Sequence, residues 1–135
     1  MNRETAIKTA AKWWTDKLRQ RAPHSNGDNS LSSVFAMMMA DMLTTPMSEK
    51  QLTKFQKALE EIIDHDLKDY GLGLHCDYGP DHHLFGAAQQ AKINANNFPF
   101  KTSMVIEKKG DDYTVLASYG YAQPYVKVAP ASKEV

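Results

Sequence analysis

The chain has 135 residues, 42% of them apolar, which suits one domain with a sizeable core and excludes a globally disordered polypeptide. Sixteen basic residues balance sixteen acidic ones, so neither sequence-independent nucleic-acid binding nor DNA mimicry is expected, since each needs a large excess of one charge. A lone cysteine cannot form an internal disulfide, Met1–Thr5 lacks the apolar run of a signal peptide, and the apolar run Val34–Ala40 stops at Asp41, short of the roughly 18 residues a membrane helix needs. The expectation is therefore a cytoplasmic chain with no membrane partner, folded as a single domain over 1–129 with a loose tail over 130–135.

Ile7, Ala10, Ala11, Trp14 and Leu18 recur at the spacing of one helix face, with Lys8, Lys12, Asp16 and Arg19 elsewhere on the cylinder. A breaker-rich loop from Ala22 to Asn29 follows. Ser30 can cap a second helix carrying Leu31, Val34, Phe35, Met38 and Met42, which Pro46 ends. Ser48-Glu49-Lys50-Gln51 has the form of a capping box, opening a third helix striped by Leu52, Phe55, Leu59, Ile62 and Ile63. This helix is expected to run close to Tyr70, with Gly71 as its stop.

From Leu72 the period changes to two. Leu72, Leu74, Cys76 and Tyr78 alternate with Gly73, His75 and Asp77, the pattern of a strand with one buried face. Pro80 and Asp81 suit the start of a short helix bearing Leu84, Phe85, Ala88 and Ile93. Ser103–Glu107 and Tyr113–Tyr121 read as strands joined by a hairpin at Lys109-Gly110-Asp111, and Val126–Val128 as an edge strand. The predicted class is α+β: three N-terminal amphipathic helices packed on a small, mostly antiparallel sheet, with a β-α-β-β C-terminal half.

Chemistry-bearing residues concentrate in His75–His83, which holds three of the five histidines, the only cysteine and two aspartates. His75 and Asp77, two apart on a strand, project to one face, and His82 or His83 can return after the Gly79-Pro80 turn to complete a three-ligand metal site. The plain alternative leaves His75 and Asp77 in solvent, Asp81 as a helix cap, and His82 and His83 on its exposed first turn. Cys76 shares the apolar parity of Leu74 and Tyr78, so its thiol is expected to be inert packing and not a nucleophile. Asp64 and His65 lie on a charged helix face and read as solvated surface. No glycine-rich phosphate loop, nucleophile elbow or paired-cysteine zinc motif occurs, and no cofactor is expected.

Tyr113, Tyr119 and Tyr121 share parity, with Tyr125 beyond, and form either the underside of the helices or a binding face. Phe98 and Phe100 flank Pro99 beside Lys101; they make a recognition tip if exposed and close the core if buried. Of the adjacent Trp13 and Trp14, Trp14 belongs to the apolar stripe, which leaves Trp13 at its edge for a partner or dimer contact. The methionines at 37, 38, 39, 42 and 47 suit core positions or self-association.

These blocks also carry a resemblance. Lys12-Trp13-Trp14 with Leu18-Arg19, Asp77-Tyr78-Gly79-Pro80-Asp81 followed by Leu84, Phe98-Pro99-Phe100-Lys101-Thr102-Ser103-Met104 and Tyr119-Gly120-Tyr121-Ala122 resemble small uncharacterised proteins of bacterial phages and prophages. The resemblance implies a mobile-element context and no catalytic role for any residue. In that context the expected function is non-enzymatic binding: an inhibitor of bacterial immunity, anti-CRISPR or other anti-defence, that engages a host defence protein or sequesters a signalling nucleotide and forms a homodimer or higher oligomer. The expected contact residues are Tyr78, Asp81, His82, His83, Phe98, Phe100, Lys101, Tyr119, Tyr121 and Tyr125, converging at one end of the sheet. The rival functions are a metal-binding protein or hydrolase using His75, Asp77, His82 and His83, and a phage structural accessory protein.

Overall fold

The computed structural model describes residues 1–20, 35 and 46–131. Helix α1 (Arg3–Gln20) starts where the Asn2 side chain accepts the Thr5 amide, at 2.8 Å, and it buries Ile7, Ala10, Ala11, Trp14 and Leu18 as the spacing requires. Ala6 and Thr9 extend the same stripe, and their small volumes allow a close neighbour. That neighbour is α2 (Glu49–Asp66), which opens with the capping box intact: Gln51 N–H donates to the Ser48 hydroxyl, and the Gln51 side chain accepts from Ser48 N–H. Leu52, Phe55, Ala58, Leu59 and Ile63 form its buried stripe. The expected helix through Leu31, Val34, Met38 and Met42 lies outside the described residues, apart from Phe35, which is helical and exposed.

Helix α2 stops four residues before Tyr70. Leu67 takes an extended conformation and turns its side chain into the core, so burial of one leucine outcompetes another helical turn. Gly71 instead closes a tight turn onto Lys68 at φ +96°, where an added Cβ would collide with the Ile106 carbonyl.

Strand β1 (Leu72–Cys76), helix α3 (His82–Ala91), a single 3-10 turn (Ala95–Asn97), β2 (Thr102–Lys109), β3 (Asp112–Ser118) and the short β4 (Val126–Lys127) complete the described elements. The sheet runs β1-β2-β3-β4, antiparallel throughout. An α+β architecture is therefore present.

Alternation divides the sheet into two unlike faces. Leu74, Cys76, Met104, Ile106, Tyr113, Val115 and Ala117 join α1, α2 and α3 in one continuous core. Trp14, Phe55 and Phe98 stand at its centre, with Phe98 5.8 Å from the Phe55 ring and 6.4 Å from Trp14. The opposite face carries two cross-strand rows set by the register, His75–Ser103–Ser118 and Gly73–Val105–Leu116–Lys127. Among the described residues no helix covers this second face, and none is long and apolar enough to cross a membrane.

The C-terminal segment returns along α1. The Ala131 amide donates to the Thr9 hydroxyl at 2.9 Å, so residues 130–131 of the expected tail are held against the domain. Residues 132–135 lie outside the described set.

Candidate functional site

One end of the open face gathers three segments that are distant in sequence. Asp77 leaves β1, Lys101 precedes β2 and the Gly120–Ala122 turn follows β3; together with His75, Cys76, Ser103 and Ser118 they line a cleft of about 380 Å³. Main-chain bonds fix its walls. Lys101 N–H donates to the Asp77 carbonyl at 2.9 Å, and Gly120 N–H donates to the Thr102 hydroxyl at 3.3 Å. The Ser118 hydroxyl donates to the Gln123 carbonyl at 2.6 Å, which ties the turn to β3. Lys101, Gly120 and Ala122 all have positive φ, at +55°, +93° and +58°. Two of these are residues for which the left-handed region costs energy, and such strain collects at functional sites.

The Lys101 ammonium pairs with the Asp77 carboxylate and lies 4.5 Å above the Tyr78 ring. Tyr78 in turn meets Phe100 edge-on at 5.0 Å. The cleft is therefore lined by a compensated charge pair and by the partly exposed Tyr121, with the partly exposed Tyr78 ring beneath the Lys101 ammonium. The imidazole of His75 folds back along the strand over Gly73, where an added Cβ would stand 2.5 Å from Nε2.

Cys76 points the other way, into the core, and is almost fully buried. Burial, followed by the nearby Asp81 and Asp77 carboxylates, pushes its thiol up to about 12. The inward thiol between an outward imidazole and an outward carboxylate is the arrangement that strand alternation implies.

A second cluster lies at the junction of α2 and α3. Asp66, the last residue of α2, faces His82 and His83 in the first turn of α3, with one ligand atom from each within 4.8 Å of the others. His83 Nε2 is 3.1 Å from Asp66 Oδ2, and the His82 and His83 rings lie tilted at 37° with centroids 3.9 Å apart. The His65 imidazole bonds the other carboxylate oxygen at 2.7 Å and, as the largest influence, holds Asp66 below the usual carboxylate range. Asp81 separates the two clusters. Its side chain caps α3 by accepting from Leu84 N–H and also accepts from His75 N–H at 2.7 Å, while its own amide donates to the His75 carbonyl.

The ten expected contact residues thus separate into groups. Lys101 and Tyr121 line the cleft, Tyr78 joins them through the Lys101 ammonium, and Tyr125 is exposed on the approach to β4. Phe98 and Phe100 are buried and belong to the core and to the floor beneath Tyr78, so they form no recognition tip. Asp81 is a structural cap. Tyr119 stacks edge-on against Trp13 at 6.1 Å beneath the Lys17 ammonium, and partial burial pushes its hydroxyl up. Trp13 is thereby engaged within the chain. Of the four expected metal ligands, His82 and His83 come together, but with Asp66 as their carboxylate; His75 and Asp77 line the cleft instead. Asp66 lacks a sequence signal, because fifteen residues, a whole strand among them, lie between it and His82. Ser103 and Ser118 were accessible from the polar parity of their strands.

No known protein family, curated protein or solved structure matches the chain.

Proposed function

We propose that the chain is a non-enzymatic binding protein of a mobile genetic element, an inhibitor of bacterial immunity that docks a host protein against the open sheet face. The observation that carries this reading is the meeting of Asp77, Lys101 and Gly120–Ala122 around one cleft, on the sheet face that no helix covers among the described residues. Tyrosine rings at a rim supply large contact area at low entropic cost, which suits protein recognition.

The electrostatics favour a protein partner over a signalling nucleotide. Phosphate recognition needs uncompensated cations or converging N–H donors. Among the described residues the one lysine lining this cleft is paired with Asp77, so they offer little net attraction to an anion. A mixed, nearly neutral rim suits a polar protein surface.

The test is protection of an infecting phage in bacteria that carry a defined defence system and express this chain. Tyr121→Ala and Lys101→Glu are expected to abolish protection while circular dichroism shows an unchanged fold. Full protection by both variants would sink the cleft as the contact site. Tight binding of a cyclic dinucleotide by calorimetry, lost in Lys101→Glu, would replace the protein partner with a nucleotide. Large assemblies in light scattering, without protection, would support a structural accessory role instead.

A further inference from the structure

Independently of the cleft, we propose that Asp66, His82 and His83 form a site for a divalent cation of borderline softness, of the zinc class. Two imidazoles and one carboxylate are a donor set that zinc takes with a fourth position left open. Three features of the cluster point to an ion beyond the simple His83–Asp66 pair.

The side chain of His83 is only 11% exposed, and its Nδ1 is buried without a hydrogen-bond partner among the described residues. Burying a polar ring nitrogen in that way is costly unless something else orients the ring. Asp81 Oδ2, which also accepts from His75 N–H, stands 3.7 Å from this Nδ1, so a shift of about 0.5–1 Å closes a carboxylate–imidazole bond. With Nε2 on the ion, that bond completes the carboxylate–histidine–metal chain that fixes tautomer and ring orientation.

Asp66 is prepared in the same sense. The bond from His65 occupies Oδ1, which leaves Oδ2 aimed at His83. His82 is exposed, so its ring can turn without repacking the core. That freedom is needed, because ligand atoms about 2.0–2.1 Å from one ion must lie closer together than the present 4.8 Å limit. The site lies between the carbonyl end of α2, which favours positive charge, and the amide end of α3, which opposes it, so the helix ends give no net preference and the ligands alone must hold the ion.

The experiment titrates the chelator-stripped full chain with zinc chloride by calorimetry and with cobalt(II) by visible absorption. The expected result is saturation at one equivalent, with the intense ligand-field bands of low-coordinate cobalt. Binding should weaken by about tenfold or more in His82→Ala and in Asp66→Asn, and remain unchanged in His75→Ala. His83→Ala removes a largely buried ring; if it fails to fold, the exposed His82→Ala still decides the question. No saturable uptake below millimolar metal, or uptake indifferent to His82→Ala and Asp66→Asn, would overturn the site and leave only an ion pair.

Discussion

At Cys76, position on a strand determines chemistry. The side chain faces the core, its thiol is pushed up to about 12, and near pH 8 roughly one molecule in ten thousand therefore carries a thiolate. A thiol-reactive dye should label the native protein orders of magnitude more slowly than the protein in denaturant. Equal rates would show that the sulfur is accessible. Phe98 is a second case. Trp14 and Phe55 surround its ring, so Phe98→Ala should lower unfolding stability by about 3–5 kcal/mol in a denaturant titration, whatever it does to binding. The inward thiol was legible because a strand has a two-residue period. The burial of Phe98 and Phe100 was not, because an irregular segment has no period from which to infer direction.

Among the elements, α2 shows which local signals suffice. Its start was legible to the residue, because a capping box satisfies two orphan amides within four residues. Ser48→Ala should cost about 1 kcal/mol, read as a shift in the denaturation midpoint without a change in slope. Gln51 does more than the box requires: its amide also donates to the Lys92 carbonyl at 3.0 Å, tying the start of α2 to the end of α3. The end of α2 was not legible, since nothing near Leu67 announces that the core will claim it. Gly71 read as a helix stop but serves the turn into β1. Gly71→Ala should therefore cost more than the roughly 1–2 kcal/mol of a left-handed alanine, because its Cβ also meets the Ile106 carbonyl.

For the whole molecule, balanced charge sets the solution behaviour that function must tolerate. With a sequence pI near 7.0, solubility should pass through a minimum around neutral pH and rise on either side. Acid should act through particular carboxylates. Asp66 is held low chiefly by the bond from His65, and Asp112 by the Met1 ammonium. A carboxyl lowered by folding contributes stability that is complete above its unfolded value, near pH 4, and is lost as pH falls through the folded value. Urea midpoints should therefore decline across that acid range, and Asp66→Asn should flatten the decline. The α+β class was legible from the change of hydrophobic period at Leu72. The pairing of Asp66 with His82 and His83 was not, because only the packing of α3 on α2 brings them together.

Asp81 has one more consequence, through the outer border of β1. By accepting from the His75 amide and donating to its carbonyl, it occupies two main-chain groups that an intruding strand would otherwise use as a template. Asp81→Ala should therefore do more than loosen a helix: it frees the His75 amide while keeping the main-chain bond to the His75 carbonyl, and on prolonged incubation it should seed thioflavin-positive fibres that the parent chain does not form. Fibre-free Asp81→Ala would show instead that the amide of residue 81 alone keeps this border closed.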